Sequence, residues 1–114
     1  MINTDNAIAQ MKKGVLELCI LSIIERGEAY PSDIIRQLRD SDLIVVEGTL
    51  YPILNRLRSN GYLEYRWRES TSGPPRKYFA ITEPGRVALE TLRRNWSQFV
   101  SSVNQSILNQ TANE

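Results

Sequence analysis

A mainly α fold (α+β) with a single β-hairpin is predicted by three stretches of this 114-residue chain. Glu47 to Leu57 is helix-compatible, and its Leu50, Ile53, Leu54 and Leu57 fall at i, i+3, i+4 and i+7, on one stripe. Beyond a glycine stop at Asn60-Gly61, Tyr62 to Glu69 alternates with a period near two, and Lys77 to Thr82 supplies a return strand. Thr82-Glu83-Pro84-Gly85 then has the cap, acid and proline of a helix start. Helices, a hairpin with a stiff basic tip and a closing helix have the layout of a winged helix-turn-helix with a two-stranded β wing and a long C-terminal dimerisation helix.

Each element follows from its residues. From about Asp5 to Arg26, Ile8, Met11, Val15 and Leu18 recur at helical spacing. The pattern turns apolar on most sides between Val15 and Ile24, which predicts a central helix, with Gly27 as its stop. A second helix opens at Tyr30-Pro31-Ser32-Asp33, where proline suits the first turn and Asp33 complements the helix dipole; Ile34, Ile35 and Leu38 form its inner face. Asp40-Ser41-Asp42 breaks it, and Leu43 to Val46 bridges to the third helix, whose Pro52 must lie in the first turn or bend the axis. In the hairpin, Ser70 to Pro75 is the loop, because its two prolines cannot donate ladder hydrogen bonds. A lone two-stranded hairpin is unstable, so Leu63, Trp67 or Tyr78 must pack on the helices.

The closing helix reaches Leu108, about 26 residues and roughly 39 Å at the standard rise. Leu89, Leu92, Trp96, Phe99 and Val103 make a short heptad seam that calls for a second copy of the same helix. The expected organisation is a winged domain over 1–82, a dimerisation helix over 83–108 and a frayed tail over 109–114.

Composition narrows the function. The net charge is only +1, yet residues 55–77 carry a net +4, leaving −3 for the rest; a basic segment on an acidic body suits an anionic polymer. The chain has no histidine and one cysteine, Cys19, which removes the commonest general base, a zinc cluster and an intrachain disulfide. No glycine-rich phosphate loop exists either, so catalysis, a metal and a cofactor are not expected. Neither a signal peptide nor a membrane-length apolar run is found, and a cytoplasmic protein without membrane contact is the expectation.

In a helix-turn-helix the second helix enters the major groove. On the third helix here, Asn55 suits paired hydrogen bonds to adenine, Arg56 guanine or phosphate, and Thr49, Tyr51 and the neighbouring Pro52 the backbone. Arg76 and Lys77 follow Gly73-Pro74-Pro75, a turn that presents them to phosphate or the minor groove with little freedom to lose. Arg66 and Arg68 share one strand face and have Glu64 and Glu69 as candidate partners. The partner is therefore double-stranded DNA; a winged helix retained for pairing with another protein is the alternative, which the charge asymmetry disfavours.

These same residues resemble the PadR family of bacterial transcriptional regulators. Gly48-Thr49-Leu50-Tyr51-Pro52-Ile53-Leu54-Asn55-Arg56-Leu57, then Gly61-Tyr62-Leu63, then Gly73-Pro74-Pro75-Arg76-Lys77-Tyr78-Phe79-Ala80-Ile81-Thr82-Glu83-Pro84-Gly85 is similar to the family signature nearly in order. The likeness runs from about Lys13 to Gly85, and the single closing helix is similar to the short-tailed branch of the family. Two positions depart: Tyr30-Pro31-Ser32 stands where Gly-Tyr is usual, leaving Ser32 as the candidate DNA contact there, and Ala80-Ile81 stands where a basic or bulkier residue is common. The resemblance implies a homodimer on a pseudo-palindromic operator, and repression relieved by a small planar aromatic effector. Trp96 on the seam, with Met11 and Val15 nearby, would bound such an effector site; alternatively Trp96 and Phe99 fill the dimer core.

Overall fold

In the computed structural model, which describes residues 4–108, the chain forms α1 (Asp5–Glu25), α2 (Pro31–Asp40), α3 (Glu47–Ser59), β1 (Leu63–Ser70), β2 (Gly73–Ile81) and α4 (Glu83–Leu108). This is a winged helix-turn-helix extended by a long terminal helix. The polar segment 109–114, expected to fray, lies outside the described residues.

The core is built around the second half of α1, where Leu16, Ile20, Leu21, Ile23 and Ile24 are all buried, as the nearly continuous apolar run requires. Ile34 and Leu38 of α2, the four-residue stripe of α3, and Leu63, Phe79 and Leu89 close onto it. Two helix ends use left-handed residues. Gly61, at φ 83°, completes α3, with the Tyr62 N–H donating to the Leu57 carbonyl at 2.9 Å and the Gly61 N–H to that of Arg58 at 2.9 Å. Asp42, at φ 62°, does the same for α2, its following Leu43 N–H reaching the Leu38 carbonyl at 2.8 Å. Gly27, in contrast, is not among the left-handed residues; α1 ends with Arg26 in a right-handed conformation.

The hairpin corrects the sequence reading in three ways. Its turn is only Thr71-Ser72, so Pro74 and Pro75 belong to β2 rather than to the loop. Arg68 pairs with Arg76 and Ser70 with Gly73, so one residue of β1 faces two of β2, and the prolines occupy a bulge where no ladder donor is needed. Second, Trp67 is exposed; the aromatic residue that seats the hairpin on the helices is Phe79, with Leu63 beside it. Third, β2 has a second partner: Ala29 and Phe79 exchange both backbone hydrogen bonds, at 3.1 and 2.9 Å, an isolated bridge too short to show a strand pattern. Pro52 likewise falls in the second turn of α3. Its ring removes the donor for the Gly48 carbonyl, but both residues are on the exposed side, where water can take that place.

The wing and α4 meet at a tight joint. Thr82 Oγ1 accepts the Gly85 N–H at 3.0 Å as the cap of α4 and donates to the Gly61 carbonyl at 2.6 Å. Gly85 lies so close to Tyr62 that an added Cβ would stand 2.1 Å from the Tyr62 carbonyl oxygen. Past Leu92 the helix leaves the body, which explains a radius of gyration of 17.1 Å where roughly 13 Å suits a compact chain of this length. Leu89, expected on the intermolecular seam, is instead fully buried in the core of its own protomer, and Leu92 packs against that core.

The Gly85 contact is testable. Gly85→Ala should destabilise the fold by about 1–3 kcal/mol, because the obstacle is backbone and cannot swing away. Thermal unfolding at fixed protein concentration reads this as a lowered midpoint; an unchanged midpoint would contradict the close approach.

Candidate nucleic-acid interface

The outer face of α3 is set by its buried stripe. With Leu50, Ile53, Leu54 and Leu57 inward, Tyr51, Pro52, Asn55, Arg56 and Arg58 are exposed and Thr49 is half-buried. Beside the start of α3, a cleft of about 320 Å³ is lined by Tyr30, Pro31, Ser32, Glu47, Tyr51, Trp67, Pro75, Arg76 and Lys77. The fold thus gathers Ser32, Tyr51, Arg76 and Lys77 from three elements, with Glu47 as the acid among them. Asn55 and Arg56 lie farther along α3, outside that cleft.

Strand geometry places Arg76 and Lys77 on opposite faces of the wing, since consecutive side chains alternate. Arg76 faces α2: its Nη2 donates to Ser32 Oγ at 3.0 Å, and its guanidinium lies 3.6 Å from the centre of the Tyr30 ring. Tyr30 meets Tyr78 with centroids 3.8 Å apart and the rings tilted by 41°, and Arg68 covers Tyr78 at 4.2 Å. Arg68 also pairs with Glu28, as does Arg66 at 2.9 Å, so these arginines are held by the loop before α2 and not by Glu64 or Glu69. The contact with Tyr30 is the main cause that pushes the Tyr78 phenol above its ordinary value. On the other face, the Lys77 ammonium lies 4.3 Å from the Tyr65 ring centre and 5.5 Å from that of Trp67.

Arg56 is tethered too. Its Nε donates to Glu17 of α1 at 2.7 Å, with side chains 56% and 39% exposed. Exposed pairs of this kind contribute about 0–1 kcal/mol, and exposed cation–π contacts about 0.5–1 kcal/mol. They orient the cations yet are weak enough to be exchanged for a phosphate. Sequence reasoning missed Glu17, Glu28 and Tyr30, because their partners lie 38 or more residues away along the chain and no periodicity marks them.

A second concavity separates α1 from α4, about 960 Å³ and predominantly apolar. Met11, Val15, Leu18, Leu92, Trp96, Phe99 and Val103 line it, together with Glu17. Met11, Val15 and Trp96, read from the sequence as one site, are therefore brought together. Cys19 is partly buried, and burial pushes its thiol up, away from thiolate chemistry. Among the described residues no cluster of metal-ligating side chains occurs, and no helix is long and apolar enough to cross a membrane.

Known proteins share this arrangement. A PadR-like transcription factor from Bacteroides fragilis is 48% identical, covering 89% of this chain and 98% of its own, with a TM-score of 0.74. A PadR family transcriptional regulator from Eggerthella lenta superposes with a TM-score of 0.85 at 28% identity, over 91% of both chains. A PadR-like transcriptional regulator from Bacillus cereus is 36% identical over 86% of this chain and 96% of its own, at a TM-score of 0.74. The model of the transcriptional regulator PadR-like family matches residues 20–91, which span the whole helix-turn-helix, the wing and the joint to α4. The chain belongs to the PadR-like family of transcriptional regulators.

Proposed function

We propose that this protein is a homodimeric repressor that binds a pseudo-palindromic operator in double-stranded DNA and is released by a small planar aromatic effector. The observation that carries the DNA reading is the cleft at which Ser32, Tyr51, Arg76 and Lys77 converge between α2, α3 and the wing. Tyr51 and Asn55 lie on the face of α3 that enters the major groove, with Thr49 and Pro52 flanking them, while Arg76, Lys77 and Ser32 hold the sugar-phosphate backbone. Arg56 exchanges Glu17 for phosphate or a base edge. Alanine in place of Arg56, Arg76 or Lys77 should weaken operator binding by about 1–3 kcal/mol where the side chain meets a base, and should reduce the salt slope by roughly one for each phosphate no longer neutralised. Circular dichroism should stay unchanged. Unaltered isotherms for all three variants would remove these residues from the reading surface, and binding without salt dependence would favour a protein partner.

Dimerisation is supported by what one protomer leaves uncovered. Phe99 is 62% and Trp96 44% exposed on a helix that projects from the body, above a groove of matching apolar character. The second half of α4, through Phe99 and Val103 with Leu92 at its inner edge, packs with the same segment of a second copy. Phe99→Glu would bury a carboxylate there, so sedimentation should show monomers and operator affinity should fall in parallel. A parent protein already monomeric at micromolar concentration would overturn this.

In that dimer two Trp96 indoles face each other near the axis, with Met11 and Val15 as walls, and stacking between them suits a flat aromatic molecule. Glu17 borders the same groove and holds Arg56, so an occupant meets a residue tied to α3. Titration with a panel of planar dyes and phenolic compounds, in a Trp67→Phe background, should quench Trp96 emission and reduce DNA affinity by about 1–3 kcal/mol of coupling. Trp96→Ala should abolish both effects while operator binding persists. Absence of Trp96-dependent quenching, or loss of the dimer in Trp96→Ala, makes the indole a core residue.

A further inference from the structure

The link between α2 and α3 contains two side chains that neither the core nor the contacts above account for. Residues 43–46 run Leu43-Ile44-Val45-Val46 without regular structure; Val45 is buried and Leu43 packs against the core, whereas Ile44 and Val46 are 77% and 66% exposed. Val46 is moreover the N-cap of α3, extended at φ −92° and ψ 161°. That position favours Ser, Thr, Asp or Asn, whose side-chain oxygen accepts a first-turn N–H, and no side-chain cap bond is made here. The Val46 backbone does its part, its carbonyl accepting the Thr49 and Leu50 N–H groups at 3.0 Å each, so the residue is well anchored. What remains is a rigid isopropyl group held in water at the leading end of the helix that meets base edges.

We propose that Val46 is a specificity-determining residue that reads a thymine in each operator half-site by packing on its 5-methyl group. This rests on the DNA-binding reading above. The thymine methyl is the one apolar feature that a base pair displays in the major groove, and the first residues of a recognition helix are those that reach base edges. A cytosine at the same place presents only C5–H where thymine carries its methyl, so the apolar contact with the valine is lost. Val46 does not line the cleft in which Ser32, Arg76 and Lys77 hold the sugar-phosphate backbone, and its isopropyl group offers a phosphate neither charge nor hydrogen bond; the group it packs on is therefore a base edge. β-Branching adds shape, because Val46 has few rotamers to lose on binding.

The test starts from selection of binding sites out of a random duplex library with the full-length protein, followed by replacement of each selected thymine by deoxyuridine, which removes only the methyl group. One thymine per half-site should prove sensitive, with binding about four-fold weaker for each methyl removed. Val46→Ser restores a capping side chain and keeps the fold; it should bind the thymine and deoxyuridine duplexes equally. Insensitivity of the parent protein to every replacement overturns the assignment. So does sensitivity that survives in Val46→Ser, or that disappears only in Ile44→Ser. Failure to enrich any duplex would be a different result, removing the DNA reading and this inference with it.

Discussion

Burial of the second half of α1 is the constraint on which the other elements depend. A segment that is apolar nearly all round must be covered on every side, and α2, β2 and α4 each pack on it. The consequence is a fixed frame in which α3 is displayed rather than buried, because only its inner stripe is needed for the core. The first half of α1 follows a different logic: it is exposed, and through Met11 and Val15 it lines an open apolar groove against the projecting α4. One helix thus anchors the winged domain with its C-terminal half and lines the groove against α4 with its N-terminal half.

Phe79 and Leu63 seat the wing on the core, and beyond them its outer face is held by cations. Glu28 ties Arg66 and Arg68, and the stack of Arg68, Tyr78, Tyr30 and Arg76 continues to Ser32 at the start of α2. Each contact is weak because it is exposed, but together they set where the guanidinium groups stand. Pre-orientation lowers the entropy lost on binding, the same advantage that the proline bulge confers on the strand beside them. The proline pair stiffens β2 itself, just ahead of Arg76, and not a loop beyond it.

Arg56 and Glu17 connect the two halves of the molecule. Glu17 borders the groove directly, next in the chain to the lining residue Leu18, while its carboxylate grips the recognition helix at 2.7 Å. If a ligand in the groove controls DNA affinity, as proposed, it acts only through unequal affinity for two arrangements, and this exposed ion pair at the boundary between groove and α3 is an element that could differ between them.

Much of this was legible in the sequence. Periodicities of 3.6 and 2, the first-turn proline Pro31, the cap Thr82 and the stop at Gly61 are local properties, so α2, α3, the hairpin and α4 could be placed from them, and the motif from Gly48 to Gly85 carried the family. Local signals also located the exposed face of α3, since fixing the buried stripe fixes its opposite. Tertiary structure decided what depends on partners distant in the chain. It chose Phe79 over Trp67 as the anchor of the wing: both lie on the same face of the hairpin, but Phe79, bridged to Ala29, sits over the core, whereas Trp67, opposite Lys77, is nearer the tip. It buried Leu89 within its own protomer, because the Thr82 and Gly85 joint brings the first turns of α4 down onto α1 before the seam begins. It also gave Arg76 to Ser32 and Tyr30 and Arg56 to Glu17, outcomes set by how the wing and the helices pack, which no single segment encodes.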